Sequence, residues 1–183
     1  MSTNSTVALP ITKIANVLDA DVVEADVFKS VLRQMAGTVT VIATASEDGL
    51  HGMTATAVCS VCADPPTILI VVNRSTRTHP HIENKQAFTV NILNDGQQDI
   101  AELFASKGTE PFAKVSHKLL NDGCPAISGT AGYLHCLTQA QAVVGTHTIF
   151  IGRVIDAGVG APKPLVYYDG KYCGVGELTR ERL

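Results

Sequence analysis

The spacing of apolar residues changes period several times along the chain, and these changes predict the elements of its fold. Between Asp26 and Gly37 apolar side chains recur three and four residues apart, which predicts an amphipathic helix with Asp26 as its N-cap and Gly37 at its end. A second helical period runs through residues 95–108 and predicts another helix that ends at Gly108. Helices are therefore expected at two places only.

Most of the remaining chain has the composition of β-strands. β-Branched residues fill TVTVIATA and PTILIVVN, and the second of these is apolar enough to predict a strand buried on both faces. Further strands are expected in MTATAVCSV, AFTVNIL, GYLHCLTQAQAVVGTHTIFIGRVIDAGV and PLVYYDGKYCGV, with breaks at Val144-Gly145 and Asp169-Gly170. Many strands without a βαβ rhythm predict a mainly β fold, an antiparallel barrel with a few peripheral helices.

Length and charge narrow the classes of function. The 183 residues suffice for one domain, and we divide them into an N-terminal extension, 1–22, and a single domain, 23–183. The net charge is −3 and Lys and Arg do not cluster, which argues against nucleic acid and against a basic membrane surface. The N-terminal segment lacks the pattern of an export signal or a membrane span, and the five cysteines are odd in number. We expect a cytoplasmic protein with reduced thiols and a small soluble ligand.

Cys59 and Cys62 form a C-x-x-C spacing that is found in redox and zinc sites. If residues 54–61 form a strand, however, side chains three apart point to opposite faces unless a bulge intervenes. The other cysteines, Cys124, Cys136 and Cys173, provide no second close pair. We therefore expect neither a dithiol nor a metal site here.

The six histidines show no metal-binding pattern either. His79 and His81 would share a face if the HPH segment were extended, but no third ligand is apparent. His51, His117 and His135 have no partner visible in the sequence and are expected to be surface or packing residues. No metal is therefore predicted.

A run of small and hydroxylated residues, GMTATAVCSV, precedes the apolar strand and leaves its backbone open to the edge of a flat polar heterocycle. Residues 73–77 follow that strand with an amide, hydroxyls and two guanidinium groups, a set that suits a phosphate. The alternative is a Thr-rich exposed strand and a solvated loop without any ligand.

In order and spacing, these segments resemble the short-chain flavin reductases that serve two-component monooxygenases, above all the 4-hydroxyphenylacetate 3-monooxygenase type. The matching segments are MAGTVTVIAT, GMTATAVCSV, DPPTILIVVNRST, FTVNIL, FA, GTHTIFIGRV and PLVYYDGKY, and the resemblance covers about Phe28 to Tyr172. The resemblance implies an FMN-binding split β-barrel with antiparallel Greek-key strands, present as a homodimer. It also implies that FMN or FAD is reduced by NADH or NADPH and that the reduced flavin passes to a partner monooxygenase.

The resemblance assigns roles to individual residues. His147 matches a histidine beside the nicotinamide and is the candidate catalytic residue, although Thr146 stands where many relatives have Asp. Gly145 and Thr148 join these two as candidate nicotinamide-binding residues. The candidate flavin-binding residues are Met53, Thr54, Ala55 and Thr56 at the ring edge, Ser60 and Val61 beside them, Asn73, Arg74, Ser75, Thr76 and Arg77 at the ribityl phosphate, and Phe104, Ala105 and Lys107 over it.

Hydride transfer to a flavin needs positioning more than acid, base or nucleophile, since the cofactor carries the chemistry. This agrees with a sequence that shows no catalytic triad and no G-x-G-x-x-G dinucleotide fingerprint. Two other functions remain open on the same barrel: a non-catalytic flavin carrier, and an oxidase of the pyridoxamine-phosphate type.

Overall fold

A computed structural model describes residues 7–8, 22–108, 110–160 and 162–176. Its helices are α1 (Ala25–Leu32), α2 (Thr78–Lys85) and α3 (Gln98–Ala105), followed by a short 3-10 helix (Pro111–Ala113). Its strands are β1 (Val7–Ala8), β2 (Gly37–Thr38), β3 (Thr40–Ser46), β4 (Gly49–Ala55), β5 (Val58–Ala63), β6 (Pro66–Asn73), β7 (Ala87–Ile92), β8 (His117–Leu119), β9 (Pro125–Ile127), β10 (Gly132–Val144), β11 (His147–Val159), β12 (Leu165–Tyr168) and β13 (Lys171–Gly174).

The largest sheet runs in the order β4-β3-β7-β10-β11-β6-β5, and every neighbouring pair in it is antiparallel. A second sheet joins β13, β12 and β2, and β8 pairs with β9. The prediction of a mainly β, antiparallel fold with peripheral helices is confirmed. Strand β1 lies parallel to β10, so part of the N-terminal extension joins the main sheet, while residues 9–21 lie outside the described part.

Strand β3 is buried on both faces, and its two faces serve two separate apolar clusters. Val41 and Ala43 pack with Phe104 beneath α3, whereas Ile42 packs with Ile70 between the sheet's own strands. The alternation of side chains along a strand produces this division. Strand β4 pairs with β3 and therefore lies between α3 on one face and the barrel interior on the other.

The predicted bounds of helix α1 are wrong at both ends. It begins at Ala25 with Glu24 as N-cap, so Asp26 lies inside the first turn, and it ends at Leu32 and not at Gly37. None of its residues is buried, although its apolar side chains share a face as the pattern predicts. The apolar face of α1 is therefore left uncovered by the described part of the chain.

Three other predictions about elements are wrong in detail. The strand expected through residues 54–61 is broken, because β4 ends at Ala55 and β5 begins at Val58. The HPH segment is not extended but lies in helix α2. Strand β6 is buried on one face, with Leu69 and Val71 of the other face only half-buried.

Among the described residues, no helix combines the length and the apolar composition that crossing a membrane would take.

Candidate functional site

Three of the segments that the sequence assigns to flavin and nicotinamide lie together at one end of the main sheet. Strands β5 and β6 are antiparallel, so the start of β5 lies beside the end of β6, and Val71 N–H donates to the Ala57 carbonyl at 3.0 Å. On the other side of β6, Asn73 pairs with His147 at the start of β11. The 56–57 connection, the end of β6 and the start of β11 thus form a continuous edge.

The end of β4 supplies the first group of predicted flavin contacts. Met53 and Ala55 pack against the interior cluster, and the Thr54 hydroxyl donates to the Ala101 carbonyl of α3 at 2.6 Å. The Thr40 hydroxyl holds the Ala55 carbonyl at 2.7 Å. The side chains of Met53, Thr54 and Ala55 thus contact other parts of the protein. Thr56, which follows the end of the strand, is exposed and is the most accessible of the four predicted contacts.

The loop after β6 is a compact turn built on Asn73. The Asn73 side-chain oxygen accepts from both the N–H and the hydroxyl of Ser75, each at 2.9 Å, in the manner of an Asx-turn. The Asn73 carbonyl accepts from the Thr76 hydroxyl at 2.8 Å, and Arg74 N–H donates to the Thr146 carbonyl at 3.0 Å. The turn is thus fixed against the start of β11 and leads directly into α2.

His147 stands next to this loop, at the first position of β11. It is half-buried, and its Nδ1 lies 2.9 Å from the Thr146 hydroxyl. Gly145 has φ +56°, the left-handed conformation that lets the chain turn from β10 into β11. Thr148 is fully buried, and its hydroxyl lies 2.8 Å from His79 Nε2 of α2. Its side chain holds α2 to β11, and a direct nicotinamide contact would have to come from its backbone.

The third predicted group lies on the other side of β4. Phe104 is buried, and its ring packs edge-on against Phe112 with centroids 4.9 Å apart. A Cβ added to Gly52 of β4 would lie 2.6 Å from the Phe104 ring, so the two elements are in close contact. Ala105, the last residue of α3, and Lys107 beyond it are exposed. Phe104 is a core residue, whereas these two are accessible to a ligand.

Strand β5 is exposed along nearly its whole length, including Ser60, Val61, Cys59 and Cys62. A register shift between Ser60 and Cys62 interrupts the regular alternation, so a bulge does intervene between the two cysteines. Each thiol donates to a backbone carbonyl, Cys59 to Ser60 at 3.2 Å and Cys62 to Pro65 at 3.1 Å. Neither belongs to a group of three metal-ligand side chains within the described residues.

The two buried cysteines are poor nucleophiles. Burial raises the pKa of the Cys124 thiol to about 11, with the Asp122 carboxylate adding to the effect. Burial, together with the nearby Cys124, raises the pKa of the Cys136 thiol to about 12. Since the thiolate is the reactive form, neither residue supports cysteine redox chemistry at neutral pH.

A cavity of about 700 Å³ opens between the end of α1 and the 56–58 segment. Leu32 and Met35 line one side, Val90 and Leu134 another, and Thr56 is the one predicted flavin contact in its wall. Its volume is that of a ligand-binding cleft. The predicted site therefore has an apolar recess at its ring end and a polar loop at its phosphate end.

Two histidine relationships were not visible in the sequence. His51 of β4 and His81 of α2 stack with ring centroids 3.4 Å apart and planes within 3°. Burial lowers the pKa of His51, and the nearby His81 lowers it further. His135, expected as a surface or packing residue, is buried beside Asp122. Residues 78–85 show no apolar helical period, so the sequence did not predict α2. The stacking of His81 on His51 could therefore not be predicted either.

Comparison with known proteins gives a consistent result. The chain is 36% identical over 146 residues to the reductase component of a 4-nitrophenol 4-monooxygenase/4-nitrocatechol 2-monooxygenase from Rhodococcus opacus, covering 79% of this chain and 78% of that protein. It is 32% identical over 152 residues to an FMN reductase (NADH), RutF 2, from Rhizobium rhizogenes, covering 79% and 86%.

A solved structure shares the architecture. The NADH:FAD oxidoreductase SgcE6 of Streptomyces globisporus C-1027, in complex with NAD and FAD fragments, superposes with a TM-score of 0.81 at 28% identity, covering 87% of this chain and 99% of that one. The fold is a split β-barrel, as the resemblance predicted. Residues 32–176 match the family described as the flavin reductase like domain. Sequence, fold and the grouping of segments at one sheet edge agree, and the chain belongs to the flavin reductase-like domain family.

Proposed function

We propose that the protein is an NAD(P)H:flavin oxidoreductase that reduces FMN or FAD and supplies the reduced flavin to a partner monooxygenase. The observation that carries the proposal is the sheet edge where the 56–57 connection, the Asn73 turn and His147 lie side by side. Family membership supports the activity, because related proteins are named as NADH-dependent FMN reductases and as monooxygenase reductase components.

The residues present fit a flavin nucleotide. The Asn73 turn carries Arg74 and Arg77, both exposed, and it directly precedes the N-terminus of α2, where backbone N–H groups favour an anion. The apolar recess beyond Thr56 suits a ring system. We therefore assign the phosphate to the turn and the isoalloxazine to the 53–57 segment.

The protein's share of the reaction is positioning. A flavin held by the Asn73 turn and the 53–57 segment would supply the hydride acceptor, and these residues would have to orient it against the nicotinamide. We assign to His147 a hydrogen bond to the nicotinamide carboxamide, and the Thr146 hydroxyl 2.9 Å from its Nδ1 supports this by fixing the ring orientation. The hydrogen bond between Thr148 and His79 holds α2 against β11, which keeps the Asn73 turn and His147 at a fixed separation.

We further propose that the protein works as a homodimer. Helix α1 and the turn after it expose one apolar face, with Phe28 54% and Val31 62% accessible on the helix and Met35 68% accessible in the turn, although such a face ordinarily lies against a partner surface. The face borders the recess that Leu32 and Met35 line, so a second copy seated on α1 would also close the ring end of the site. Sedimentation of the purified protein measures the oligomeric state.

The decisive experiment follows NADH absorbance with the purified protein, first without flavin and then with FMN or FAD added, and repeats the series with NADPH. We expect NADH or NADPH loss that depends on added flavin. Tight flavin binding without turnover would favour a carrier, and oxidation of pyridoxamine phosphate without a nicotinamide would favour the related oxidase. Absence of flavin-dependent loss with both nicotinamides would overturn the proposed reductase.

A further inference from the structure

A second cluster of chemically capable side chains lies away from the flavin site, at the far end of α2. Asp122, Cys124 and His135 each place one ligand atom within 4.8 Å of the other two. Cys124 is fully buried and His135 is 4% accessible, while Asp122 is half-buried. Helix α2 has eight residues and is therefore about 12 Å long, which separates this cluster from the turn that precedes the helix.

The local backbone holds the first two side chains together. Gly123 between them has φ +86°, and its N–H donates to the Leu120 carbonyl at 2.9 Å. The Leu120 N–H in turn donates to the Cys124 carbonyl at 2.9 Å. A tight turn therefore presents Asp122 and Cys124 to the same space, in a conformation that glycine favours.

The third side chain comes from the sheet. His135 lies on β10 where the register with β11 shifts, between the His135–Asp156 and Cys136–Val154 pairs. Such bulges re-aim side chains, and here the His135 ring meets the turn with Nε2 3.0 Å from Asp122 Oδ2. The other carboxylate oxygen, Oδ1, accepts the Cys124 N–H at 3.1 Å, which fixes the orientation of the carboxylate.

We propose that Asp122, Cys124 and His135 bind a divalent transition metal of the zinc type. A carboxylate, a thiolate and an imidazole are each ligands that zinc takes in proteins. Tetrahedral zinc, with bonds of about 2.0–2.3 Å, separates its ligand atoms by about 3.3–3.8 Å, so shifts of about 1 Å suffice. The inference concerns a separate site and does not depend on the proposed reductase activity.

The surroundings give the metal access and a fourth ligand. A cavity of about 690 Å³ reaches Asp122 and Gly123 and is also lined by His81, Asn84 and Lys85. The Lys85 ammonium donates to the Asp122 backbone carbonyl at 2.6 Å and thus leaves the carboxylate oxygens to their other partners. Water from the cavity completes the coordination.

Binding balances through one proton. The Cys124 S–H bond breaks, the proton passes to solvent and a metal–sulfur bond forms. The His135 Nε2–H, which donates to Asp122 before the metal binds, gives up its proton while Nδ1 takes one from solvent, so the neutral imidazole changes tautomer and its Nε2 lone pair binds the metal. The hydrogen bond between Asp122 and His135 is lost, and both side chains coordinate the metal instead. The metal would then tie the 120–124 turn to β10 and stabilise the folded state.

The test measures bound zinc after equilibrium dialysis of the full chain against ZnCl₂, together with the absorption of the CoCl₂-loaded protein. We expect about one equivalent per chain, a thiolate-to-cobalt charge-transfer band, and a thermal midpoint that rises with zinc. Cys124→Ser and His135→Gln should each lose the band and weaken zinc binding more than tenfold. His135→Gln serves where Cys124→Ser fails to fold, as judged by circular dichroism.

The exposed cysteines provide the matched control, because adventitious zinc would bind to them. The Cys59→Ser/Cys62→Ser variant should keep the stoichiometry, the cobalt band and the zinc-dependent rise in the midpoint. Loss of zinc in this control with retention in both His135→Gln and Cys124→Ser would overturn the proposal. So would the absence of bound zinc in the unsubstituted protein.

Discussion

Asn73 and His147 face each other across the β6–β11 pair, one at the end of its strand and the other at the beginning. Between them Arg74 N–H donates to the Thr146 carbonyl at 3.0 Å, so the turn that begins at Asn73 is fixed to the segment that carries His147. The turn that we propose to hold the flavin phosphate and the histidine that we propose to contact the nicotinamide are therefore positioned by neighbouring strands. This relationship makes the two roles separable by substitution.

His147→Ala should chiefly impair use of the nicotinamide. Loss of one hydrogen bond to the carboxamide costs about 1–3 kcal/mol, so kcat/KM for NADH should fall about five- to a hundredfold. Flavin affinity, followed by fluorescence titration, should stay close to that of the unsubstituted protein. The control is Val144→Ala, since Val144 pairs with His147 and is exposed, and its kinetics should be unchanged. A variant that lost mainly flavin affinity would contradict the assigned role.

Arg77→Ala should have the opposite effect and weaken flavin binding. A charge-assisted contact to phosphate contributes about 1.5–3 kcal/mol, so the flavin Kd should rise by about tenfold or more at low salt. The difference should shrink in high salt, because ions screen an exposed charge pair. Arg153→Ala, at an exposed arginine of β11, is the control and should leave the Kd unchanged. Equal effects of the two substitutions would refute a specific phosphate contact.

The strands were predictable where composition and periodicity agree. Strands β6 and β7 lie where β-branched runs indicate them, and the turn at Gly145 and the one at 169–170 fall at the predicted breaks. Helix α3 was predictable for the same reason, since Ile100, Leu103 and Phe104 recur at helical spacing, but its predicted end at Gly108 is wrong, because the helix ends at Ala105 and Ser106 is extended. These strands and this helix contain much of the apolar core, and the spacing of their apolar residues indicates which side chains are buried.

Helix α2 was not predictable because its pattern is mostly polar. Only Thr78, His79 and Ile82 are buried, and two of these three side chains are polar, so an apolar period does not develop. Pro80 stands in the first turn, where a helix tolerates proline, and Lys85 in the last turn favours the helix end. These weak signals are outweighed in the sequence by the turn-like composition of the preceding loop.

The site was predictable as a set of segments but not as a geometry. The break at 56–57 lies in a run of small residues whose pattern fits a continuous strand equally well. The contacts between Thr148 and His79, or between His135 and Asp122, join elements that only tertiary structure brings together. For the same reason Phe104, assigned by resemblance to the flavin, lies on the buried face of α3 in the apolar core.

Gly52→Ala should destabilise the protein through the contact between β4 and α3. The added Cβ would lie 2.6 Å from Phe104 Cε1 and 3.3 Å from Phe112 Cε2, so buried rings must move. Overpacking of this kind costs about 1–3 kcal/mol in the free energy of unfolding. Urea denaturation measures it as a lower midpoint. Gly176→Ala, where a Cβ meets nothing within 4 Å, is the matched control, and equal midpoints for the two variants would contradict the argument.

The stacked pair of His51 and His81 should make stability depend on pH. Burial lowers the pKa of His51 below its ordinary value of 6.5; His81 and Arg77 lower it further, while Asp48 and Glu110 act in the opposite direction. The unfolded chain then binds more protons near and below pH 6.5 than the folded one. The contribution of His51 is present above that pH and is lost as pH falls toward the folded pKa.

Replacing His51 by Gln removes this titration and keeps a group able to bond Ser46, whose hydroxyl lies 2.8 Å from His51 Nε2. Urea unfolding between about pH 7 and 5 should lose stability less steeply in His51→Gln, by at most about 1.4 kcal/mol per pH unit. His81→Ala should reduce the slope by a smaller amount, because burial, the largest cause, persists. Superimposable pH profiles for His51→Gln and the unsubstituted protein would show that the stack does not govern stability, since the carboxylates titrate in both.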